Sequence, residues 1–268
     1  MERCLAVMAG AGVLPGRAAS EAARQGWRVV ALAFDEADGL AEQVERVVPS
    51  SITDIQGVLQ ALSDARATAA LFVGKFWKQK FFRGLGAADA VGRDLARSGL
   101  SDEALARTAV AWLGGLGIEV LDQRAFLQPW MMGEGTLGAR GPSEAEWAEI
   151  RAGFVLARHL AGHGIGQSVV RSHGVTLAVE AAEGTDEAIR RGTGLAGPGA
   201  VVVKAVASAH DFRFDIPTIG PSTLEAMAAG GATALAVERG KVLLVDREET
   251  IRIADSTGIA VVSVDGDA

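Results

Sequence analysis

A chain of 268 residues, 49% of them hydrophobic and 22% charged, has the composition of a folded protein with one large core or two modest ones, and not of a disordered segment. Its formal net charge of −7 argues against a general nucleic-acid binder, which carries a basic surplus, and leaves room for a phosphate held by a local group of cations. Cys4 is the single cysteine, so an internal disulfide is excluded and a reducing cytoplasm fits.

Glu2 and Arg3 lead straight into a short apolar run that breaks at Gly10, which is not the pattern of a signal peptide. That run, Leu5 to Met8, predicts a strand. A helix is expected from about Pro15 to Gln25, because proline suits a first turn and Gly26 the position after the last. Arg28 to Phe34 reads as the next strand, Ser51 to Ala65 as a helix with Asp54 as its cap, and Ala69 to Val73 as a third strand. Asp102 to Leu113 predicts a helix and Ile118 to Leu121 a fourth strand. Strands alternating with helices imply a mostly parallel sheet covered on both sides. No run of 18 or more uncharged apolar residues interrupts the alternation, so no transmembrane helix is expected.

Two segments of this half carry chemistry. Gly10-Ala-Gly-Val-Leu-Pro15 resembles a dinucleotide fingerprint, with Asp35 as its ribose-binding acid, but Pro15 stands where the third glycine belongs. A tight turn that approaches a ligand phosphate through Gly10 and Gly12, or merely packs, is the better reading than a nicotinamide or flavin oxidoreductase. Gly74 to Arg83 follows the third strand, where open α/β sheets bind ligands, and mixes Lys75, Lys78, Lys80 and Arg83 with Phe76, Trp77, Phe81 and Phe82. That mixture suits an anionic amphiphile or a membrane surface, and equally an amphipathic helix with solvated lysines.

The pattern lapses between Trp130 and Pro142, where four glycines and a proline read as a joint, so residues 1–130 and 143–268 are expected as two domains with 131–142 as a linker. Ser143 and Glu146 make a capping box for a helix to about His163. His159 and His163, four apart on it, read as helix-terminal or solvated histidines, since no zincin glutamate follows His159. Ser168 to Arg171 and Val175 to Glu180 predict a hairpin turning at His173-Gly174. The Glu183-Gly184-Thr185-Asp186 turn opens a helix whose N–H groups favour an anion, while simple capping by Thr185 explains it as well. Ala200 to Val206 is an apolar strand delivering Lys204, Ala234 to Val237 and Val242 to Val245 flank a turn, and a helix and the strand Ile259 to Val264 finish the sequence. The C-terminal domain is thus α/β with a mixed sheet.

The densest chemistry lies at 204–223. If the chain is extended there, Asp211, Arg213 and Asp215 fall on one face. Two carboxylates can hold a divalent cation, and lysine and arginine can grip phosphate. A structural ion-pair ladder beside a turn accounts for the same residues.

Taken together, these segments resemble the LpxI family of UDP-2,3-diacylglucosamine pyrophosphatases. The likeness runs through Ala-Gly-Ala-Gly-Val-Leu-Pro near the start, Gly74-Lys75, Ser101-Asp-Glu, Ile165-Gly-Gln167, the block Ala178 to Arg191, and Phe212-Arg-Phe-Asp-Ile-Pro-Thr-Ile-Gly220. The resemblance implies an N-terminal Rossmann-like domain with a parallel sheet and a C-terminal catalytic domain. It implies metal-dependent hydrolysis of UDP-2,3-diacylglucosamine to UMP and 2,3-diacylglucosamine 1-phosphate in lipid A synthesis, with water attacking the α-phosphate. Asp215 occupies the position of the acid that the family needs for activity.

On that reading Mg²⁺ or another divalent cation is the cofactor, with Asp215, Asp211 and Glu180 (or Asp186) as candidate ligands. Asp215, Asp211, Arg213 and Lys204 are the candidate catalytic residues. Gly10, Gly12, Lys75, Gln167, Glu183, Gly184, Thr185, Asp186, Thr218 and Glu238 are the candidate substrate-binding residues. The partner is a lipid-nucleotide substrate. The expected location is the cytoplasm, with peripheral contact at the inner membrane surface and self-association both compatible. The chain departs from the family pattern where Ala-Ser-Ala-His210-Asp211 stands for Lys-Pro-x-Gln-Asp, so that the proline and the glutamine are missing, and where Arg239 replaces the alanine of Glu-Ala-Gly. The alternatives are hydrolysis of another nucleotide diphosphate, or a nucleotide- or phospholipid-binding protein without turnover.

Overall fold

The computed structural model describes residues 3–76 and 102–265. The chain divides into two compact units, one of Met1–Pro129 with Asp211–Asp215, the other of Trp130–His210 with Ile216–Ala268.

The first unit alternates β1 (Cys4–Ala9), α1 (Leu14–Arg24), β2 (Arg28–Ala33), β3 (Arg46–Pro49), α2 (Ile55–Asp64), β4 (Ala69–Val73), α3 (Asp102–Gly115), β5 (Glu119–Val120) and the short α4 (Arg124–Leu127). Its sheet runs β3-β2-β1-β4-β5 with every pair parallel, a Rossmann-like order. β1 is buried along its whole length, as its unbroken apolar sequence requires of a strand covered on both faces. Cys4 is part of that core, among Ala6, Met8, Leu32, Leu62 and Ile118. Asp54 caps α2 as the sequence indicates, accepting from the Gly57 N–H at 2.9 Å. β3 is a strand the sequence reading did not find. It ends in Pro49 at the sheet edge, where a missing N–H is tolerated.

The second unit contains β6 (Gly135–Leu137), α5 (Glu144–Gly162), β7 (Ser168–Ser172), β8 (Val175–Val179), α6 (Thr185–Ala196), β9 (Val201–Lys204), β10 (Thr218–Ile219), α7 (Pro221–Ala229), β11 (Ala234–Glu238), β12 (Leu243–Leu244), α8 (Arg247–Thr257) and β13 (Ala260–Val264). The main sheet is mixed: β6-β13-β11-β9-β7-β8, with β13, β11 and β9 parallel and β6, β7 antiparallel to their neighbours. Residue parity sets its faces. Val201, Val203, Ala234 and Ala236 pack with Ile150, Phe154 and Ala157 of α5. Val202, Leu235 and Val237 pack on the other face, in one core with Ile189, Leu224, Met227 and Ile253 of α6, α7 and α8. The capping box at Ser143 is complete, and His173 (φ 50°) with Gly174 (φ 78°) closes the hairpin, both left-handed as a two-residue turn asks.

Two sequence expectations change. Residues 135–137, read as part of a joint, form β6 and pair with β13 at the edge of the second sheet. Asp211–Asp215, read as extended and placed with the C-terminal half, is a turn that packs within the first unit. The Asp211 carboxylate accepts the Arg213 N–H at 3.1 Å, an Asx-type closure that bends the chain and removes the two-residue face on which Asp215 was expected to join Asp211 and Arg213.

Candidate functional site

In the first unit the Asp211–Asp215 turn docks on the residues that lead into α4. Gln123 N–H donates to the Phe212 carbonyl at 3.2 Å, and the Arg124 guanidinium lies 4.0 Å above the Phe212 ring. Phe214 packs against Phe72 of β4, ring centroids 5.1 Å apart. Asp211 takes Nε and Nη2 of Arg213 at 2.9 and 2.7 Å, so the predicted acid–cation contact exists, as a chelate within the turn. Asp122 and Arg124 repeat the arrangement at the same spacing, with Nε and Nη2 at 3.1 and 2.6 Å. Burial pushes the Asp122 carboxyl up, but Arg124 outweighs it and holds the group below the ordinary carboxylate range. Asp215, the last residue of the segment, is exposed.

Gly10, Gly12 and Lys75 also come together in this unit. The loops after β1 and β4 meet where the strand order reverses, and Ala11 and Lys75 exchange both backbone hydrogen bonds at 2.9 Å. Gly12 (φ 95°) donates to Glu36 O and accepts from Asp38 N, which ties in the loop after β2 as well. Lys75 is exposed there. Of the basic–aromatic segment only Lys75 and Phe76 are described, and the Phe76 ring sits 6.0 Å from Phe34 and 6.4 Å from Phe72. Trp77 to Arg83 and Ser101 lie outside the described residues.

In the second unit Lys204, Thr185 and Glu180 form one network at the C-terminal end of β9. Lys204 is only 5% exposed, and its ammonium donates to Thr185 Oγ1 at 2.7 Å and Ser168 Oγ at 3.4 Å. Thr185 donates on to Glu180 Oε1 at 2.8 Å, and Gln167 N–H meets Glu180 Oε2 at 3.3 Å. Burial would raise the Glu180 carboxyl. The Lys204 charge, helped by bonds from Ser168, Thr185 and Gln167, reverses this and holds it below the ordinary range. Gly184 (φ 88°) caps α6, Asp186 lies in its first turn, and the exposed Glu183 pairs with Arg191 at 2.6 Å.

Glu238 ends β11 on the opposite face of that sheet and is 2% exposed. Its Oε1 accepts from Arg158 and Lys241, both at 2.7 Å, and its Oε2 from the buried Val206 N–H at 3.1 Å. Burial again works to raise the carboxyl, and Lys241, Val206 and Arg158 hold it down. The Thr218 hydroxyl donates to the local Ile216 carbonyl at 3.1 Å. Arg239 is engaged by Glu134 and, through Nε at 3.0 Å, by Asp265.

No three histidine, cysteine, aspartate or glutamate side chains converge as a metal cage among the described residues. Mg²⁺ asks for less, one or two carboxylates with waters. Glu180 lies beside the Lys204 charge and Asp211 is paired with Arg213; Asp215 is an exposed carboxylate, the type of ligand such a sparse site uses. No helix of the described residues is long and apolar enough to cross a membrane.

The comparisons with known proteins decide the family. The family model described as the LpxI N-terminal domain matches residues 4–130, and that of the LpxI C-terminal domain matches residues 133–262. The chain belongs to the LpxI family. A relative from Caulobacter vibrioides, UDP-2,3-diacylglucosamine pyrophosphatase LpxI, is 34% identical over 180 residues, which cover 63% of this chain and 63% of the relative. Among solved structures, N5-carboxyaminoimidazole synthetase from Staphylococcus aureus complexed with ADP is 11% identical over 64% of this chain and 39% of that one, with a TM-score of 0.26. Glycinamide-RNase-transformylase T from Mycobacterium tuberculosis is 15% identical over 66% and 44%, also at 0.26. Likenesses that low carry no argument.

The LpxI match assigns Asp211–Asp215 by sequence to the C-terminal domain, while the turn packs in the unit built by the N-terminal one. Asp122, Arg124, Arg158, Ser168 and Lys241 are partners that sequence reading missed. For one pair a signal was present, since Asp122-Gln-Arg124 has the same spacing as Asp211-Phe-Arg213. Arg158, Ser168 and Lys241 become recognisable only once their buried partners are placed.

Proposed function

We propose that this chain hydrolyses the pyrophosphate of UDP-2,3-diacylglucosamine, giving UMP and 2,3-diacylglucosamine 1-phosphate in the cytoplasm. The LpxI models covering residues 4–130 and 133–262, and the name of the Caulobacter relative, support the substrate class. The observation that carries the site is the exposed Asp215 at the end of a turn fixed at Phe212 and Phe214.

In the reaction the oxygen of water bonds to the α-phosphorus and the bond from that phosphorus to the bridging oxygen breaks. The bridging oxygen leaves on the β-phosphate, and the water proton passes to the base or to solvent. Asp215 orients the water or accepts its proton. Arg213, which keeps its orientation through Asp211, and Lys75 at the β1–β4 rim offer cationic donors to phosphate oxygens. Asp215 would hold a divalent cation, which would supply charge neutralisation on the reacting phosphoryl group. Lys204 is better suited to fixing Thr185 at the start of α6 than to touching substrate, because its ammonium is buried and shared between two hydroxyls. The two acyl chains of the substrate favour work at a membrane surface, reached peripherally.

Arg239, which departs from the family pattern, is bound by Glu134 and Asp265 and is thereby accounted for without a different substrate. The test incubates purified protein with UDP-2,3-diacylglucosamine in detergent, with Mg²⁺ or with EDTA, and follows UMP and lipid phosphate. Release that EDTA abolishes and Mg²⁺ restores is expected. No release under any metal sinks the assignment.

A further inference from the structure

Arg124 lies outside every segment that suggested the activity, yet it touches the turn that carries Asp215. Its guanidinium is held flat by a bidentate bond to Asp122, at 3.1 and 2.6 Å, and its face lies 4.0 Å from the Phe212 ring. The preceding residue, Gln123, gives its N–H to the Phe212 carbonyl at 3.2 Å. Phe212 is therefore gripped through both ring and backbone, and 92% of its surface is covered, since its exposure is 8%. Two residues on, Phe214 is seated against Phe72 of the sheet. Asp215 follows directly, so its backbone origin is set by these two anchors.

We infer that Arg124 is a positioning residue: chelated by Asp122 and stacked on Phe212, it locks the Asp211–Asp215 turn onto the first unit and so aims the Asp215 carboxylate. The inference rests on the reading that Asp215 serves the hydrolysis. Cation and ring contribute as a pair, because the guanidinium face is attracted to the ring and Asp122 spares it the freedom it would otherwise lose. Displacing a reacting group by about 1 Å can cost on the order of 10²-fold in rate.

The experiment compares wild type, Asp215→Ala, Arg124→Ala, Arg124→Lys, Phe212→Leu and the double variant Arg124→Ala/Phe212→Leu, each in steady-state hydrolysis with Mg²⁺ and in thermal unfolding. Expected are a kcat for Arg124→Ala lowered at least about tenfold with KM within about twofold, an unchanged melting temperature, and partial rescue by Arg124→Lys. The double variant should be no slower than the slower single one, as for two parts of one device. Wild-type kcat in Arg124→Ala while Asp215→Ala is dead overturns this inference alone. So does a rate loss matched by a lowered melting temperature, or multiplicative losses in the double variant. Full activity of Asp215→Ala overturns the catalytic reading and this inference with it.

Discussion

Lys204 and Glu180 meet through a shared hydroxyl: Thr185 Oγ1 accepts from Lys204 Nζ at 2.7 Å and donates to Glu180 Oε1 at 2.8 Å. The buried Lys204 charge thus answers the half-buried Glu180 across the first residue of α6. Removing the cation alone strands the acid, and breaking such a pair costs about 3–5 kcal/mol. Lys204→Met should lower the melting temperature strongly, and Glu180→Gln added to it should restore much of the loss. Recovery absent from the double variant would show that the two do not act as a pair.

The same pair predicts a pH dependence. The Glu180 carboxyl is held below its ordinary 4.5, so the stability it contributes is present above that value and is lost as pH falls through the lowered one. In Lys204→Met the charge that opposes burial is lost and only the bonds from Ser168, Thr185 and Gln167 remain, so the carboxyl moves up. The difference in melting temperature between wild type and Lys204→Met should therefore shrink as pH drops below about 4.5. A constant difference from pH 7 to pH 3 would refute the coupling.

Asp215→Ala should reduce UMP release by about 10²-fold or more, as loss of a group serving the reacting phosphoryl does. Because the side chain is exposed, the melting temperature should stay within the small range of surface substitutions, about 0.5 kcal/mol in stability. Kinetics and calorimetry on the same preparation separate the two effects.

Gly10→Ala should destabilise by about 1–3 kcal/mol. The added Cβ would sit 2.7 Å from the Lys75 carbonyl oxygen and 2.9 Å from Gly74 C, backbone atoms that cannot rotate away, so the β1 and β4 loops must part. Gly114→Ala, in α3 with nothing within 4 Å of the new methyl group, should instead gain up to about 1 kcal/mol. Chemical denaturation of both variants checks the contrast.

Ser143→Ala should cost about 1 kcal/mol by leaving the Glu146 N–H without its cap. Glu146 keeps its bond from Arg140 at 2.6 Å, so the helix start should fray while the ion pair remains. A melting temperature unchanged by the substitution would contradict this.

Much of the architecture is written locally. The apolar run of β1, the Asp54 cap, the Ser143–Glu146 box and the His173-Gly174 turn each work within a few residues, and each could be read directly. Short or polar elements could not. β6 lies in a glycine-rich stretch and is a strand only because β13 offers it an edge. α7 carries a start signal in Gly220-Pro221, with proline in its first turn, but no strong apolar period follows it.

For the candidate site, the residue types and the family pattern are legible along the chain: Asp211, Arg213 and Asp215 near an apolar strand, and Glu180 and Thr185 at a glycine turn. The fold sets what each one faces. It gave Lys204 to Thr185 and Ser168, Glu238 to Arg158 and Lys241, and the Asp211–Asp215 turn to Arg124, Gln123 and Phe72. Capping, periodicity and turn chemistry are fixed by near neighbours in the chain. Which charge is buried against which, and on which sheet a phenylalanine finds its place, depends on burial between segments tens of residues apart, and no local pattern encodes that choice.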